Sequence, residues 1–181
     1  MQRVFIGMKK PILIIIDGPM GSGKSTVAEL LHKKIPGKTA LISLDKLKRI
    51  VSEYKMDSLE HLELAAKSGA AMADTYLKDG INVIVEKAFT MEQYLRAFLK
   101  LIKTKPRIFI YQMEIPFELG ILRVKERERL KEKGIPKNKI KEKVTRNYKH
   151  FIESRYKDAK VFDSSKLTPR QIINKIIKDL K

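Results

Sequence analysis

The chain contains no cysteine, and this absence excludes several kinds of chemistry. Among its 181 residues no thiol can form a disulfide, act as a nucleophile or bind a metal as thiolate. Long apolar runs are also missing: the longest, Ile12–Ile16, is far shorter than the ~20 residues of a membrane-spanning helix. The first ten residues lack the long apolar core of a signal peptide. We therefore expect a cytoplasmic protein without a membrane span.

Acidic residues are few relative to basic ones, and the imbalance is uneven. The sequence has 39 Lys and Arg against 21 Asp and Glu, a formal net charge of +18. Residues 123–160 alone hold 15 Lys and Arg against 6 Asp and Glu. Such a basic block is typical of proteins that bind nucleic acid or a phosphorylated substrate. A solvated lysine-rich helix has the same composition, so both interpretations stay open.

A glycine-rich loop follows the apolar run. It fits the pattern G-x-x-x-x-G-K-[ST] and leads into a helix, with Gly18, Pro19, Met20, Gly21, Ser22, Gly23, Lys24, Ser25 and Thr26. Glycines let backbone N–H groups wrap phosphate oxygens, and the following helix adds its positive dipole end. In such a loop Lys24 reaches the β- and γ-phosphates and the Ser25 hydroxyl binds Mg²⁺. The sequence therefore predicts a nucleotide-binding loop of the Walker A type.

Apolar runs typical of β-strands alternate with helical patterns along the chain. The predicted strands are 12–16, 38–44, 81–85, 106–112 and 160–162, and the helices between them include 26–35, 46–54 and 136–159. Helix starts are predicted at Ser58, at Thr90 with Gln93, at Pro116 and at Thr168 with Gln171, and helix ends at Gly80 and Gly134. This alternation predicts one α/β domain over residues 1–181, with a single doubly wound, parallel five-stranded sheet. Residues 1–10, before the first predicted strand, are a possible N-terminal appendage, and with Met8 as an alternative start the first seven residues would be one.

Charged residues stand where predicted strands end, and ligands of parallel sheets lie beyond those ends. Asp45 follows the second strand, where a carboxylate can accept the proton of an attacking hydroxyl. The alternative for Asp45 is a helix N-cap. Glu86 ends the third strand, where a Walker B carboxylate would hold Mg²⁺ through water or orient the acceptor; otherwise it is a solvated glutamate.

The basic segment, residues 116–159, carries two arginines four residues apart. Arg123 and Arg127 therefore lie on one helix face, whereas Arg129 faces elsewhere and is expected to be solvated. A hinged segment with guanidinium groups can close over a transferring phosphoryl group and stabilise its charge. We expect a lid, and the alternative is a set of ion pairs with neighbouring glutamates. The isolated histidines are expected to be structural or solvated, without metal: His32, His61 and His150.

These motifs together resemble those of small P-loop kinases, the group that holds polynucleotide kinases, zeta toxins, gluconate kinases and chloramphenicol phosphotransferases. The matching stretches are GPMGSGKST, SLDKLKR, VIVE, RVKER and VFDSSKLTP. The resemblance implies ATP as the phosphate donor, Asp45 as the general base, and Arg123 and Arg127 on the ATP phosphates. It also implies that residues 163–166 border adenine and that Lys48 or Arg49 holds an acceptor phosphate.

The implied reaction transfers the γ-phosphate of ATP to a hydroxyl, with the 5′-hydroxyl of RNA or DNA as one candidate acceptor. The loop is also similar to that of cytidylate kinase. That class clamps its acceptor phosphate with several arginines, and between Val27 and Leu95 this chain has only Arg49. The scarcity of arginine disfavours a nucleoside monophosphate kinase, but this class, a small-metabolite kinase and a nucleic-acid-binding ATPase without an acceptor all stay open. The acceptor and the oligomeric state are not encoded in any motif of the chain.

Overall fold

The computed structural model describes residues 10–53, 58–89, 92–129, 135–152 and 156–180. Its strands are β1 (Ile12–Asp17), β2 (Thr39–Ser43), β3 (Asn82–Glu86), β4 (Arg107–Glu114) and β5 (Lys160–Asp163). All four strand pairings are parallel, in the order β2-β3-β1-β4-β5. The predicted doubly wound parallel sheet is confirmed.

The helices lie between and after these strands. They are α1 (Lys24–Lys34), α2 (Leu44–Lys48), α3 (Leu59–Lys78), α4 (Glu92–Lys100), α5 (Phe117–Arg129), α6 (Lys137–Ile152) and α7 (Pro169–Asp179). Within the described ranges, none of them combines the length and apolarity that crossing a bilayer requires.

The central strand β1 is apolar along its length because both of its faces are covered. Leu13 and Ile15 pack in one cluster with residues of α3 and α4, such as Leu77. Ile14 and Ile16 pack in a second cluster with residues of α1 and α7. A strand that is buried on both sides reads as a continuous hydrophobic run, as seen here.

The parallel register brings the carboxyl ends of neighbouring strands to one edge of the sheet. Ile16, one residue before the end of β1, pairs with Glu86 at the end of β3. On the other side of β3, Glu86 pairs with Ser43 at the end of β2. The residues that follow β1, β2 and β3 are therefore neighbours in space although they are far apart in the sequence.

Local signals set most of the described helix ends. The side chain of Ser58 accepts a hydrogen bond from the N–H of His61 at 3.4 Å, and Gly80, with φ of +74°, follows α3. Thr168 and Gln171 form the predicted capping box at the start of α7. The predictions at Thr90 and Gly134 lie outside the described residues.

Two predicted helices are shorter in the structure. The helix expected over 46–54 corresponds to α2, which ends at Lys48. The N–H groups of Arg49 and Ile50 donate to the carbonyl oxygens three residues earlier, and these bonds tighten the last turn and end the helix. The helix expected to reach 159 is described only to Ile152. Farther along, the N–H of Tyr156 donates to the side chain of Gln112, 3.2 Å away, and not to a helix carbonyl.

Candidate active site

The glycine-rich loop, residues 18–26, lies between β1 and α1 and touches two other elements closely. A Cβ on Gly18 would come 2.5 Å from the carbonyl oxygen of Met113 in β4. A Cβ on Gly21, whose φ is +84°, would come 2.6 Å from the carbonyl oxygen of Gly120 in α5. Only glycine fits these positions, so the loop sits directly against β4 and α5.

Two side chains of the loop are buried beside its backbone. The Nζ of Lys24, a residue that is 9% exposed, donates to the carbonyl oxygen of Pro19 at 3.2 Å. The Oγ of Ser22 is fully buried and has no hydrogen-bond partner among the described residues. An unpartnered buried hydroxyl costs about 1–3 kcal/mol. Oxygen atoms of a phosphate would satisfy it, so the loop fits the ligand that its motif predicts.

Glu86 joins the loop to the end of β2. It is 5% exposed, and its two carboxylate oxygens accept hydrogen bonds of 2.9 Å each from the hydroxyls of Ser25 and Ser43. The two predicted Mg²⁺ ligands, Ser25 and Glu86, are thus in direct contact. Because Glu86 is buried, the alternative of a solvated strand-end glutamate does not apply.

Asp45 lies on the same edge of the sheet as Glu86 and the loop. It is the second residue of α2, whose N-cap is Ser43, so the helix-cap alternative for Asp45 is wrong. Its Oδ1 is 2.6 Å from the Nζ of Lys87 and 3.2 Å from the Nζ of Lys48. Burial raises the pKa of Asp45, but the positive charges of Lys87, Lys48 and Lys24 outweigh this effect and lower the pKa overall. The carboxylate is therefore ionised and within electrostatic range of the loop lysine.

The structure separates the two candidates for holding an acceptor phosphate. Lys48 is 7% exposed and contacts Asp45, whereas Arg49 is exposed. Burial and repulsion by Lys87 lower the pKa of Lys48, against the attraction of Asp45. Lys87 was not singled out in the sequence, although its position directly after a buried strand was a visible signal.

Helices α5 and α6 pack on the outer side of the loop. Ile121 and Val124 of α5 form a small core with Ile140 and Val144 of α6, and Met20 of the loop packs against it. The side chain of Asn147 in α6 accepts a hydrogen bond of 2.7 Å from the N–H of Met20. Sequence reasoning did not identify Asn147, since no local motif links the two residues.

The two arginines that the sequence predicts for a lid, Arg123 and Arg127, have different surroundings. Arg123 donates to the carbonyl oxygen of Ser164 at 3.0 Å, which brings it to the segment predicted to border adenine. Arg127, with 49% of its side chain exposed, forms an ion pair of 2.8 Å with Glu128. Among the residues that the structure describes, Arg127 forms no hydrogen bond or ion pair with the loop. The side chain of Arg129 is outside the described part of the chain.

A cavity of about 390 Å³ lies beside the loop at the ends of β4 and β5. It is lined by Pro19, Glu114, Ile115, Pro116, Tyr148, Phe151 and Asp163. It therefore combines one residue of the loop, aromatic side chains of α6 and the first residue of the segment 163–166.

A buried hydrogen-bond network fixes the start of the loop. Asp17 has no exposed surface, and its Oδ1 accepts from the N–H groups of Gly18 and Phe89 at 2.7 and 3.0 Å. Its Oδ2 accepts from the hydroxyl of Tyr156 at 2.7 Å. Burial raises the pKa of Asp17 despite these donors. This anchor was also missed in the sequence, because Asp17 stands before the motif.

Comparison with known proteins agrees with this arrangement. The model of the AAA_33 family, described as an AAA domain, matches residues 13–151. The chain belongs to this AAA-domain family. The match includes the loop, Asp45, Glu86, Arg123 and Arg127. No curated protein matches the sequence.

Solved structures have the same fold at low sequence identity. A chain of the Pnkp1/Rnl/Hen1 RNA repair complex is 24% identical, with a TM-score of 0.64. The match covers 84% of this AAA-domain chain and 48% of the chain in the complex. The present chain therefore spans about half the length of that protein. A sugar kinase of Janibacter sp. HTCC2649 is 18% identical with a TM-score of 0.66 and 95% of each chain covered. The tunicamycin resistance protein of Deinococcus radiodurans is 17% identical, with a TM-score of 0.65 and coverage of 95% and 96%. These structures confirm the fold that the resemblance to small P-loop kinases implied.

Proposed function

We propose that this chain is an ATP-dependent phosphotransferase that moves the γ-phosphate of ATP to a hydroxyl acceptor. The observation that carries the proposal is the ionised carboxylate of Asp45, within electrostatic range of Lys24 at the edge of the sheet where ligands bind. A hydroxyl acceptor needs a group that orients it and takes its proton, and Asp45 supplies that group.

ATP would be held by the loop and by the cavity beside it. The backbone N–H groups of the loop, Lys24 and the unpartnered hydroxyl of Ser22 would bind the phosphates. The adenosine would lie in the cavity of about 390 Å³, a volume within the range of small-molecule pockets. Asp163 in the cavity lining supports the expected position of residues 163–166 near adenine.

Ser25 and Glu86 would hold Mg²⁺, directly or through water. They fit this ion because they offer a hydroxyl and a carboxylate oxygen, which are hard ligands, 2.9 Å apart. When bound, the ion supplies neutralising charge to the phosphate oxygens.

In the proposed step the acceptor oxygen forms a bond to the γ-phosphorus while the bond to the bridging oxygen breaks, so that ADP leaves. The proton of the acceptor hydroxyl passes to Asp45. A carboxylate of low pKa suits this role. In a loose transition state the hydroxyl loses its proton late, so until then the carboxylate mainly has to orient the hydroxyl. Lys24, Arg123 and Arg127 stabilise the charge on the transferring group.

The proposed acceptor is the 5′-hydroxyl of RNA or DNA. Two features support a polyanionic acceptor: buried Lys48 beside Asp45, and the exposed cations of α6, namely Lys137, Lys139, Lys141, Arg146 and Lys149. The fold that this chain shares with a component of an RNA repair complex is in keeping with it. The alternative acceptors are a nucleoside monophosphate and a small metabolite.

The test is transfer of labelled γ-phosphate from ATP with Mg²⁺ to 5′-hydroxyl RNA and DNA oligonucleotides, beside CMP, AMP, gluconate and UDP-N-acetylglucosamine. Label on an oligonucleotide supports the whole proposal. Label only on gluconate or UDP-N-acetylglucosamine keeps the transfer to a hydroxyl and overturns the nucleic-acid acceptor. Label only on the phosphate of CMP or AMP overturns the hydroxyl acceptor in favour of a nucleoside monophosphate kinase. Label on inorganic phosphate alone overturns both in favour of an ATPase.

A further inference from the structure

Lys87 is a buried cation that the loop motif and the lid do not include. Its side chain is 12% exposed, and its Nζ lies 2.6 Å from Oδ1 of Asp45. A lysine of the same short helix as Asp45 gives a contrast: Lys46 is 75% exposed and lies 3.8 Å from Glu29. Lys87 is thus aimed at the candidate base, and Lys46 is not.

Two hydrogen bonds join the backbone at and after Lys87 to the central strand, β1. Its own N–H donates to the carbonyl oxygen of Ile16 at 3.2 Å. Two residues later, the N–H of Phe89 donates to the buried carboxylate of Asp17 at 3.0 Å. The ammonium group of Lys87 therefore extends from a backbone that is held in register with the start of the loop.

Asp45 itself stands on the short helix α2, which Leu44, 2% exposed, anchors in the core cluster beside β2 and α3. Helix α2 has five residues, too few to be stable without tertiary contacts. The second cation on Oδ1, Lys48, comes from the same helix, three residues after Asp45. Lys48 ties the carboxylate to its own helix, whereas Lys87 ties it to the end of β3.

Both lysines contact Oδ1, and no hydrogen bond or ion pair joins Oδ2 to the residues that the structure describes. A carboxylate held through one oxygen presents the other in a defined direction. With Oδ1 engaged from the sheet, Oδ2 is the oxygen that remains for an acceptor hydroxyl.

We propose that Lys87 is a positioning residue, which locks Asp45 to the sheet edge through Oδ1 and leaves Oδ2 to orient the acceptor hydroxyl. This inference rests on the proposed phosphotransfer. Lys87 would affect the rate of transfer through Asp45, without affecting the binding of ATP. The expected signature is a fall in kcat without a change in the KM for ATP.

The test compares Lys87→Met and Lys87→Arg with the wild type and with Lys46→Met as a matched control. A displaced catalytic group can cost roughly 100-fold in rate, so we expect Lys87→Met to lower kcat by about 10- to 100-fold. The KM for ATP and the affinity for ADP stay at the wild-type values. Lys87→Arg, which keeps the charge, restores most of the activity, and Lys46→Met leaves it unchanged.

A second readout does not depend on activity. The carboxyl carbon of Asp45, followed by NMR against pH, reports whether Lys87 holds it. In Lys87→Met the pKa of Asp45 rises towards the ordinary range of an aspartate, because the closest cation is gone. An unchanged Asp45 titration, or a wild-type kcat in Lys87→Met, overturns the inference. A wild type that labels no acceptor at all overturns the proposed function instead.

Discussion

The two sides of the glycine-rich loop are built differently. On the side of β2 and β3, Glu86 is 5% exposed and accepts hydrogen bonds from Ser25 and Ser43. Lys48, 7% exposed, pairs with Asp45, whose side chain is 44% exposed. On the side of α5 and α6 the arginines are at the surface, and Arg127 has 49% of its side chain exposed. The strand-end side is held by the sheet, whereas the helical side is held to the loop by Met20 and the side chain of Asn147.

This difference matches what each side would do in phosphotransfer. A group that orients an acceptor hydroxyl must already be in place, since a small misplacement costs rate. Groups that close over ATP must leave room for it to enter and for ADP to leave. We therefore expect changes on the strand-end side to lower kcat alone and changes on the helical side to raise the KM for ATP as well.

On the helical side, the largest effect is expected at Arg123. Arg123→Gln removes a guanidinium group beside the segment 163–166, and we expect the KM for ATP to rise roughly 10- to 100-fold, the equivalent of one charged hydrogen bond. The matched control is Lys125→Gln, an exposed charge on the same helix. If both variants raise the KM equally, net charge and not the position of Arg123 is responsible.

A smaller effect concerns the anchor at the start of the loop. Tyr156→Phe removes the donor to Oδ2 of buried Asp17, and we expect the free energy of unfolding to fall by about 1–3 kcal/mol. Urea unfolding measures this change, and Tyr94→Phe, at a residue that is 44% exposed, is the control. Equal stability of the two variants would mean that the network contributes nothing to the fold.

The smallest effect is the pH dependence of the stability that Asp45 contributes. Its pKa is lower in the folded chain than its ordinary value of 3.8, so its contribution is present above that value and is lost as the pH falls through the folded pKa. The difference in unfolding free energy between the wild type and Asp45→Asn should stay constant from about pH 7 to about pH 5 and shrink below 3.8. The carboxylate is 44% exposed, which keeps this difference small. A difference that grows on acidification would contradict the sign of the shift.

The features that the sequence predicted are those that depend on neighbours along the chain. The loop, α7 with its capping box and the buried strand β1 all follow from residues a few positions apart. Asp45 and Glu86 were identified because strand ends of a parallel sheet gather at one edge, a rule that needs no detailed structure.

The missed features depend on which strands and helices become neighbours. Lys87 and Asp45 are 42 residues apart, and their contact exists because β3 lies between β1 and β2. Met20 and Asn147 are 127 residues apart. No periodicity or spacing encodes such contacts, because they follow from the strand order and from how α6 packs on the loop.

One comparison tests most directly whether Asp45 serves a hydroxyl acceptor. Single-turnover transfer of labelled γ-phosphate to the acceptor, and ADP binding in the same samples, would be measured for the wild type, Asp45→Asn and the exposed control Asp79→Asn. We expect Asp45→Asn to lose transfer by roughly 10²- to 10⁴-fold while its ADP affinity and the control stay at wild-type values. Transfer at the wild-type rate in Asp45→Asn would contradict the assignment of the general base.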